Sequence, residues 1–511
     1  LASVINSFAI KGIDAYIVKI ETDTIYGKPS VSIVGLGDAS IKESKERLEA
    51  SIKHNRYEFP KMKIVINLAP CDMKKSGSHF DLGMAIGILL QSNQIIFEEI
   101  NNFAFIGELS LNGELRPVTG VLPMAIEAKK AGIKNIILPK DNYKEAKLVG
   151  EINIFPFENL EQVINFMQNG DTYNFEISDD ENKNQTNNYL DFKDVQGQDT
   201  VIDFVVAAAA GGHNLILSGP PGCGKSMIAK RIPTILPSMT EEEALEVTKI
   251  YSVAGLLKNK GSLITKRPFR SPHHNASMNS LIGGGTYAKP GEISLAHNGV
   301  LFLDEIAEFK RLTLESLRQP LEDKVISIAR VKYSQCYPAN FMLVAAMNPC
   351  PCGYYGDEKC HCTDYEVLKY RSKISGPVLD RIDIQKYVNS VNFKDLSNYK
   401  KGRSSKELKD IVENARKIQN ERFKNCDKIN SNSQMPTALI KEFCTLDSES
   451  TKLLGTAYDK FNFSARSYYK FLRVARTFAD LEGEINIRKH HIVKALLCRD
   501  LEKEQSKMMV V

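Results

Sequence analysis

The densest chemistry in the chain lies in eight residues, Gly219-Pro220-Pro221-Gly222-Cys223-Gly224-Lys225-Ser226. They spell G-x-x-x-x-G-K-S, a loop whose glycines let backbone N–H groups curl inward onto phosphate oxygens. Lys225 then reaches the β- and γ-phosphates of a nucleotide, and the Ser226 hydroxyl ligates Mg²⁺. Downstream, Gly299-Val-Leu-Phe-Leu-Asp304-Glu305 is an apolar run ending in two acids. Such a strand delivers Asp304 to the Mg²⁺ shell beside Ser226. Glu305, one residue on, polarises a water for in-line attack on the γ-phosphate. A third apolar run, Phe341 to Met347, ends in Asn348. A polar residue at the carboxyl end of a parallel strand faces the ligand crevice. A chance Gly-rich turn or a surface acid pair would explain each motif alone, but not their order.

Those residues need a sheet behind them. Asn214-Leu-Ile-Leu-Ser218 predicts an apolar strand running into the loop, with a helix opening near Lys225. A chain of 511 residues is too long for one core and predicts about three domains. Strand-like and helix-like runs alternate through residues 1–168, among them Val31–Val34, Lys63–Asn67, a helical Asp81–Leu90 and Asn135–Leu138. Residues 169–188 read as a linker, because Asp179 to Asn188 contains no apolar residue and cannot order itself by burial. A second α/β segment covers residues 189–390. Residues 391–511 are helical in pattern, with Ser404-x-x-Glu407 as a capping box. The fold class is therefore α/β with a helical C-terminal lid.

Composition is that of a soluble globular protein, at 43% hydrophobic and 25% charged residues. A net charge of +5 excludes a polycation, so any nucleic-acid surface must be local. No run approaches the roughly 18 apolar residues that span a bilayer, and no signal segment opens the given sequence. The ten cysteines do not form a secreted framework, which fits a reducing cytoplasm.

Four of them cluster in Cys350-Pro-Cys352 and Cys360-His361-Cys362. Two C-x-C pairs can converge four thiolates on a structural Zn²⁺, and His361 could replace one sulfur. Free thiols in a Gly/Tyr-rich loop are the alternative. Separately, no acid occurs between Glu246 and Glu292, while Lys266, Arg267 and Arg270 do. Charge runs are usually solvated faces. Phosphate-backbone contact is nevertheless the most economical use of a local acid-free stretch. A second candidate is Ile326 to Gln335, which predicts a β-hairpin carrying Arg330 and Lys332 near its turn.

Together these motifs resemble the AAA+ ATPases. In that family's terms Lys225 and Ser226 fall in Walker A, Asp304 and Glu305 in Walker B, and Asn348 at sensor 1. Asp191 to Gln198 resembles the segment packed beside adenine. Ser375-Gly-Pro-Val-Leu-Asp380-Arg381 resembles the arginine-finger segment, with Arg381 reaching a neighbouring subunit's γ-phosphate. Ser464 to Arg473 resembles the sensor 2 helix, with Arg466 preferred and Arg473 second. ATP and Mg²⁺ are the implied ligands, and an arginine supplied in trans implies an oligomer. Arg270-Ser-Pro-His-His-Asn275, Gly283-Gly-Gly and Pro290 to His297 narrow the resemblance to magnesium-chelatase-like members of the ComM/YifB type. That resemblance implies a homo-hexameric DNA translocase or helicase driving branch migration during integration of transforming DNA, with both basic elements directed at the ring's pore.

Phe105-Ile-Gly-Glu-Leu-Ser-Leu-Asn-Gly-Glu-Leu-Arg-Pro-Val-Thr-Gly120 resembles the proteolytic domain of Lon, which has an S5-like α/β fold. The position expected to supply the catalytic lysine of its Ser–Lys dyad is Leu122. Ser78, near the nucleophile position, then stays a weak alcohol, and no peptidase activity is expected. Two other functions remain as alternatives. One is a chelatase-type motor inserting metal or remodelling a protein partner. The other is an ATP-dependent protease, disfavoured by Leu122.

Overall fold

In the computed structural model, the structure describes residues 2–170, 190–257, 261–285, 288–330, 333–391, 402–426, 429–461 and 463–500. The expected linker therefore falls almost wholly outside the described residues, as does Lys332.

Residues before 170 form a seven-stranded mixed sheet. Its order is 30–34, 63–69, 14–25, 3–11, 103–105, 135–139, 153–157. The strand at 14–25 runs antiparallel to both its neighbours, and the remaining pairings are parallel. Alternation decides which faces are buried. In Lys63–Ala69 every second residue (Ile64, Ile66, Leu68) is fully buried against helices Ala39–His54 and Asp81–Gln91. Phe8, Ile10 and Ile17 turn to the opposite face and meet helix Val121–Lys130. The sheet is thus covered on both sides along part of its width. The helix expected over Asp81–Leu90 runs to Gln91 and is almost entirely buried.

The second sheet has five parallel strands in the order 269–270, 300–303, 342–347, 215–218, 384–387. Leu215–Ser218, Val300–Leu303 and Met342–Met347 have no exposed residue, so they read as continuous apolar runs rather than alternating ones. Helix Asp199–Gly211 packs on one face, and the segment from Ile306 to Leu321 on the other. Parallel pairing brings the carboxyl ends of 215–218, 300–303 and 342–347 to one edge. That edge is where the chemistry-bearing residues sit.

The C-terminal helices, Ser405–Arg422, Thr437–Phe443, Ser448–Phe461, Ala465–Leu481 and Lys489–Leu496, share one hydrophobic core with helix Asp199–Gly211. The capping box at Ser404 and Glu407 is present as expected. A buried ionic knot ties the helices together. Asp480, 2% exposed, accepts hydrogen bonds from Arg422 (2.8 Å), Asn432 (2.7 Å) and Arg476 (3.0 Å).

The N-terminal sheet domain is docked on the second unit by polar contacts. Lys249 pairs with Asp14 at 2.8 Å, and the Ser252 hydroxyl donates to buried Glu145 at 2.5 Å. The Gly120 N–H donates to the Ser252 carbonyl, and the Gly12 N–H to the Gln335 side chain. Among the described residues no helix is long and apolar enough to cross a membrane.

Removing Asp480 strands two arginines in a low-dielectric interior. Asp480→Ala is therefore expected to destabilise the helical region by about 3–5 kcal/mol. The denaturation midpoint followed by far-ultraviolet circular dichroism checks this.

Candidate functional site

The phosphate loop leaves the buried strand Leu215–Ser218 and enters helix Lys225–Arg231. Gly222 and Gly224 adopt left-handed backbone angles (φ 80° and 94°), which side-chain-bearing residues rarely take. At Gly219 a Cβ would lie 2.3 Å from the Val388 carbonyl, so only glycine fits. Gly224 offers no side-chain cap, which leaves the first N–H groups of the helix to an anion.

Lys225 is 9% exposed and folds back onto the loop. Its ammonium donates to the carbonyls of Gly219 (2.6 Å) and Pro220 (2.8 Å) and to Asn348 Oδ1 (3.3 Å). Among the described residues it pairs with no carboxylate, so its charge is free to meet phosphate. Ser226 Oγ donates to Asp304 Oδ2 at 2.9 Å. Lys225, Ser226, Asp304 and Asn348 are thus brought together from three different strands. The donor set, one hydroxyl and one carboxylate with room for water, suits Mg²⁺.

Glu305 sits in the left-handed region at φ 51°, ψ 48°, a conformation costing a non-glycine residue on the order of 1–3 kcal/mol. The turn swings its carboxylate away from the strand into a cleft of about 420 Å³ lined by Glu308, Asn348, Lys369, Tyr370 and Lys373. His274 Nδ1 lies 3.9 Å from that carboxylate, within ion-pair range. The string Arg270-Ser-Pro-His-His marked this segment in the sequence without giving His274 a role. Only the fold brings it to Glu305.

All four cysteine sulfurs of the 350–362 loop lie within 4.8 Å of one another. Cys350 to Cys352, Cys352 to Cys360 and Cys350 to Cys360 measure 3.2, 3.7 and 3.9 Å. A tetrahedron with Zn–S bonds of about 2.3 Å has edges of about 3.8 Å, so the donor set fits Zn²⁺. His361 is exposed and outside the cluster, which favours four sulfurs over three and an imidazole. Backbone N–H groups of Tyr354 and His361 pull the Cys352 thiol down to about 6. The loop braces the nucleotide site. A Cβ on Gly353 would lie 2.8 Å from the ring of Pro221, and Arg371 Nε donates to the Pro349 carbonyl at 3.0 Å.

Arg381 and Arg466 are brought together, but away from Lys225. The Arg381 carbonyl accepts from Asn214, and Asp383 N–H donates to the Asn214 carbonyl. Asn214 precedes the strand whose other end is Gly219, roughly 16 Å away at strand rise. Arg381 is therefore anchored at the amino end of that strand, opposite the phosphate loop. Arg466 shares Glu322 with Arg381, its Nη2 lying 2.6 Å from Glu322 Oε1. Arg473 is spent on the Met435 carbonyl, leaving Arg466 as the available arginine of that helix.

The basic stretch is less free than its sequence implied. Arg267 donates to the carbonyls of Pro237 and Asn298 and to Glu243. Arg270 makes a two-pronged pair with Glu292 at 2.6 and 2.7 Å. Acids just outside the acid-free window fold back on it, which a linear reading cannot detect. Lys266 is exposed. The expected hairpin is present as Val325–Arg330 against Tyr333–Pro338. The Arg330 side chain and Lys332 lie outside the described residues.

In the N-terminal domain Leu122 is fully buried, and its N–H donates to Glu145. The Ser78 hydroxyl donates to Glu108.

Comparison with known proteins agrees with this architecture. Family profiles described as "Magnesium chelatase, subunit ChlI", "Subunit ChlI of Mg-chelatase" and "Magnesium chelatase, subunit ChlI C-terminal" match residues 191–396, 20–142 and 402–499. The chain is 39% identical to Competence protein ComM of Haemophilus influenzae, over 97% of this chain and 96% of that protein. It is 38% identical to YifB of Escherichia coli, over 98% and 97% of the two chains. A Lon protease of Trichlorobacter lovleyi is 25% identical over 32% of this chain and 21% of its own length. ATP and Mg²⁺ are the ligands implied by such relatives. With near-complete coverage at this identity, the chain belongs to the magnesium-chelatase-like proteins of the ComM/YifB type.

Proposed function

We propose that this chain is an ATP-driven ring motor that acts on DNA, promoting branch migration during recombination of incoming strands. The observation that carries the motor reading is the division of the nucleotide site. Lys225, Ser226, Asp304, Glu305 and Asn348 bind nucleotide and activate water at one end of the sheet. Arg381 and Arg466 sit at the other end, where they meet a neighbour's γ-phosphate in a ring. Homo-hexamer is the stoichiometry that the resemblance implies. Residues 1–168, 189–390 and 391–511 then serve as docking domain, motor core and lid. In this reading Lys225 neutralises the γ-phosphate, Ser226 and Asp304 would hold Mg²⁺, Glu305 takes a proton from the attacking water, and the neighbour's arginines steady the charge that develops.

Support for DNA as the track is chemical and comparative. Lys266 is exposed, and the strands Val325–Arg330 and Tyr333–Pro338 pair as the expected hairpin. A relative is named a competence protein. The four cysteines hold a structural Zn²⁺ with no open position for catalysis. A cytoplasmic setting fits such a thiolate site. The chelatase reading, insertion of a metal or remodelling of a protein partner, draws on the three ChlI profiles. It would be favoured if junction DNA left ATP turnover unchanged.

The decisive measurement is strand exchange on a three- or four-stranded junction with and without ATP. Junction movement should require ATP and vanish in Lys225→Ala. Movement that persisted without hydrolysis would end the motor reading. Glu305→Gln should lower kcat by about 10²–10⁴ while nucleotide binding is retained. Mixing Lys225→Ala with Arg381→Ala, each inactive alone, should restore turnover, because mixed interfaces join an intact loop to an intact arginine. Lys266→Ala should reduce the salt slope of DNA binding by about one. Arg267→Ala should act mainly on stability. Metal analysis of protein purified without chelator should return about one zinc per chain, falling sharply in Cys360→Ser.

A further inference from the structure

Glu322 belongs to no motif of the sequence. It lies on the helix Arg318–Asp323 and is half exposed. Its two oxygens are divided between the two arginines that the nucleotide reading requires, Oε2 to Arg381 and Oε1 to Arg466. Arg381 is 12% exposed at its side chain and Arg466 48%. Arg381 Nη1 also donates to the Pro377 carbonyl, while its Nε is buried with no acceptor. The Arg381 guanidinium is therefore held by a partial set of partners, with its Nε–H unused.

We propose that Glu322 is a competitive latch for the trans arginines, holding Arg381 and Arg466 until a neighbour's γ-phosphate displaces it. The proposal rests on the reading of those arginines as a neighbour's ligands. The exchange is chemically even-handed. A guanidinium binds carboxylate and phosphate oxygens in the same forked geometry, and phosphate brings more charge. With Glu322 half exposed, its pairs with Arg381 and Arg466 are weak enough to be surrendered and strong enough to aim the side chains beforehand. Without it the two like charges would repel each other. The same helix passes through Lys324, in left-handed conformation at φ 58°, into the hairpin strand Val325–Arg330.

A competitor for the arginines raises the ATP concentration needed for turnover. The test is steady-state ATP hydrolysis by the full-length assembled protein. Glu322→Gln keeps the shape and removes the charge. It should lower the ATP concentration for half-maximal rate by about two- to fivefold, with kcat little changed. In an Arg381→Lys background, which retains charge but loses the fork, Glu322→Gln should give no such gain. Glu315→Gln, on the preceding helix, should leave the wild-type curve in place. An unchanged half-saturation in Glu322→Gln, or the same gain regardless of residue 381, would overturn the latch. Restored turnover on mixing Lys225→Ala with Arg381→Ala, alongside an inert Glu322→Gln, would reject the latch and keep the shared site. Failure of mixing to restore turnover would reject both.

Discussion

The hydrogen bond from Ser226 to Asp304 is the contact on which the rest of the nucleotide site depends. It joins the ends of two strands that are not neighbours, since 342–347 lies between them. The bond can form only because all three strands are parallel and in register, Leu215 beside Val344 and Val344 beside Phe302. That register also sets Asn348 directly over the loop lysine. A slip of one residue in any of the three would turn these groups out of the crevice.

Parallel strands impose a second consequence. Their carboxyl ends share one edge of the sheet, and their amino ends share the other. Arg381 is tied to the amino end through Asn214, so it lies at the opposite end of the sheet from the phosphate loop. The cysteine loop is placed to report on the same edge, because Gly353 touches Pro221 and the Cys350 sulfur follows Asn348 by two residues. The helix beginning after Cys362 carries Lys369 and Tyr370 into the cleft beside Glu305. A metal there would stiffen both walls of the crevice without touching substrate.

In the N-terminal domain Leu122 is fully buried, and its N–H is committed to Glu145. That glutamate in turn accepts from Ser252 on the second domain. Glu145 is thus part of the contact between the two domains. Burial of a hydrogen-bonded carboxylate at such a contact fixes orientation more than it adds stability.

Local spacing alone determined the phosphate loop, the paired acids after an apolar strand, the capping box before Ser405 and the four cysteines in two close pairs. In each, the interacting groups are near in sequence or must end a strand. Such features are legible because backbone geometry relates spacing to direction. Charge at Arg267 and Arg270 was misleading for the opposite reason. Their partners Glu243 and Glu292 lie 24 and 22 residues away and reach them only once the chain has folded back. His274 beside Glu305 and Glu322 beneath Arg381 and Arg466 belong to the same class of long-range contact. The amino acids declared which chemistry the chain carries. Only the tertiary structure decided which charges were already spent on partners within the fold and which were left exposed, because pairing of charges depends on distance in space.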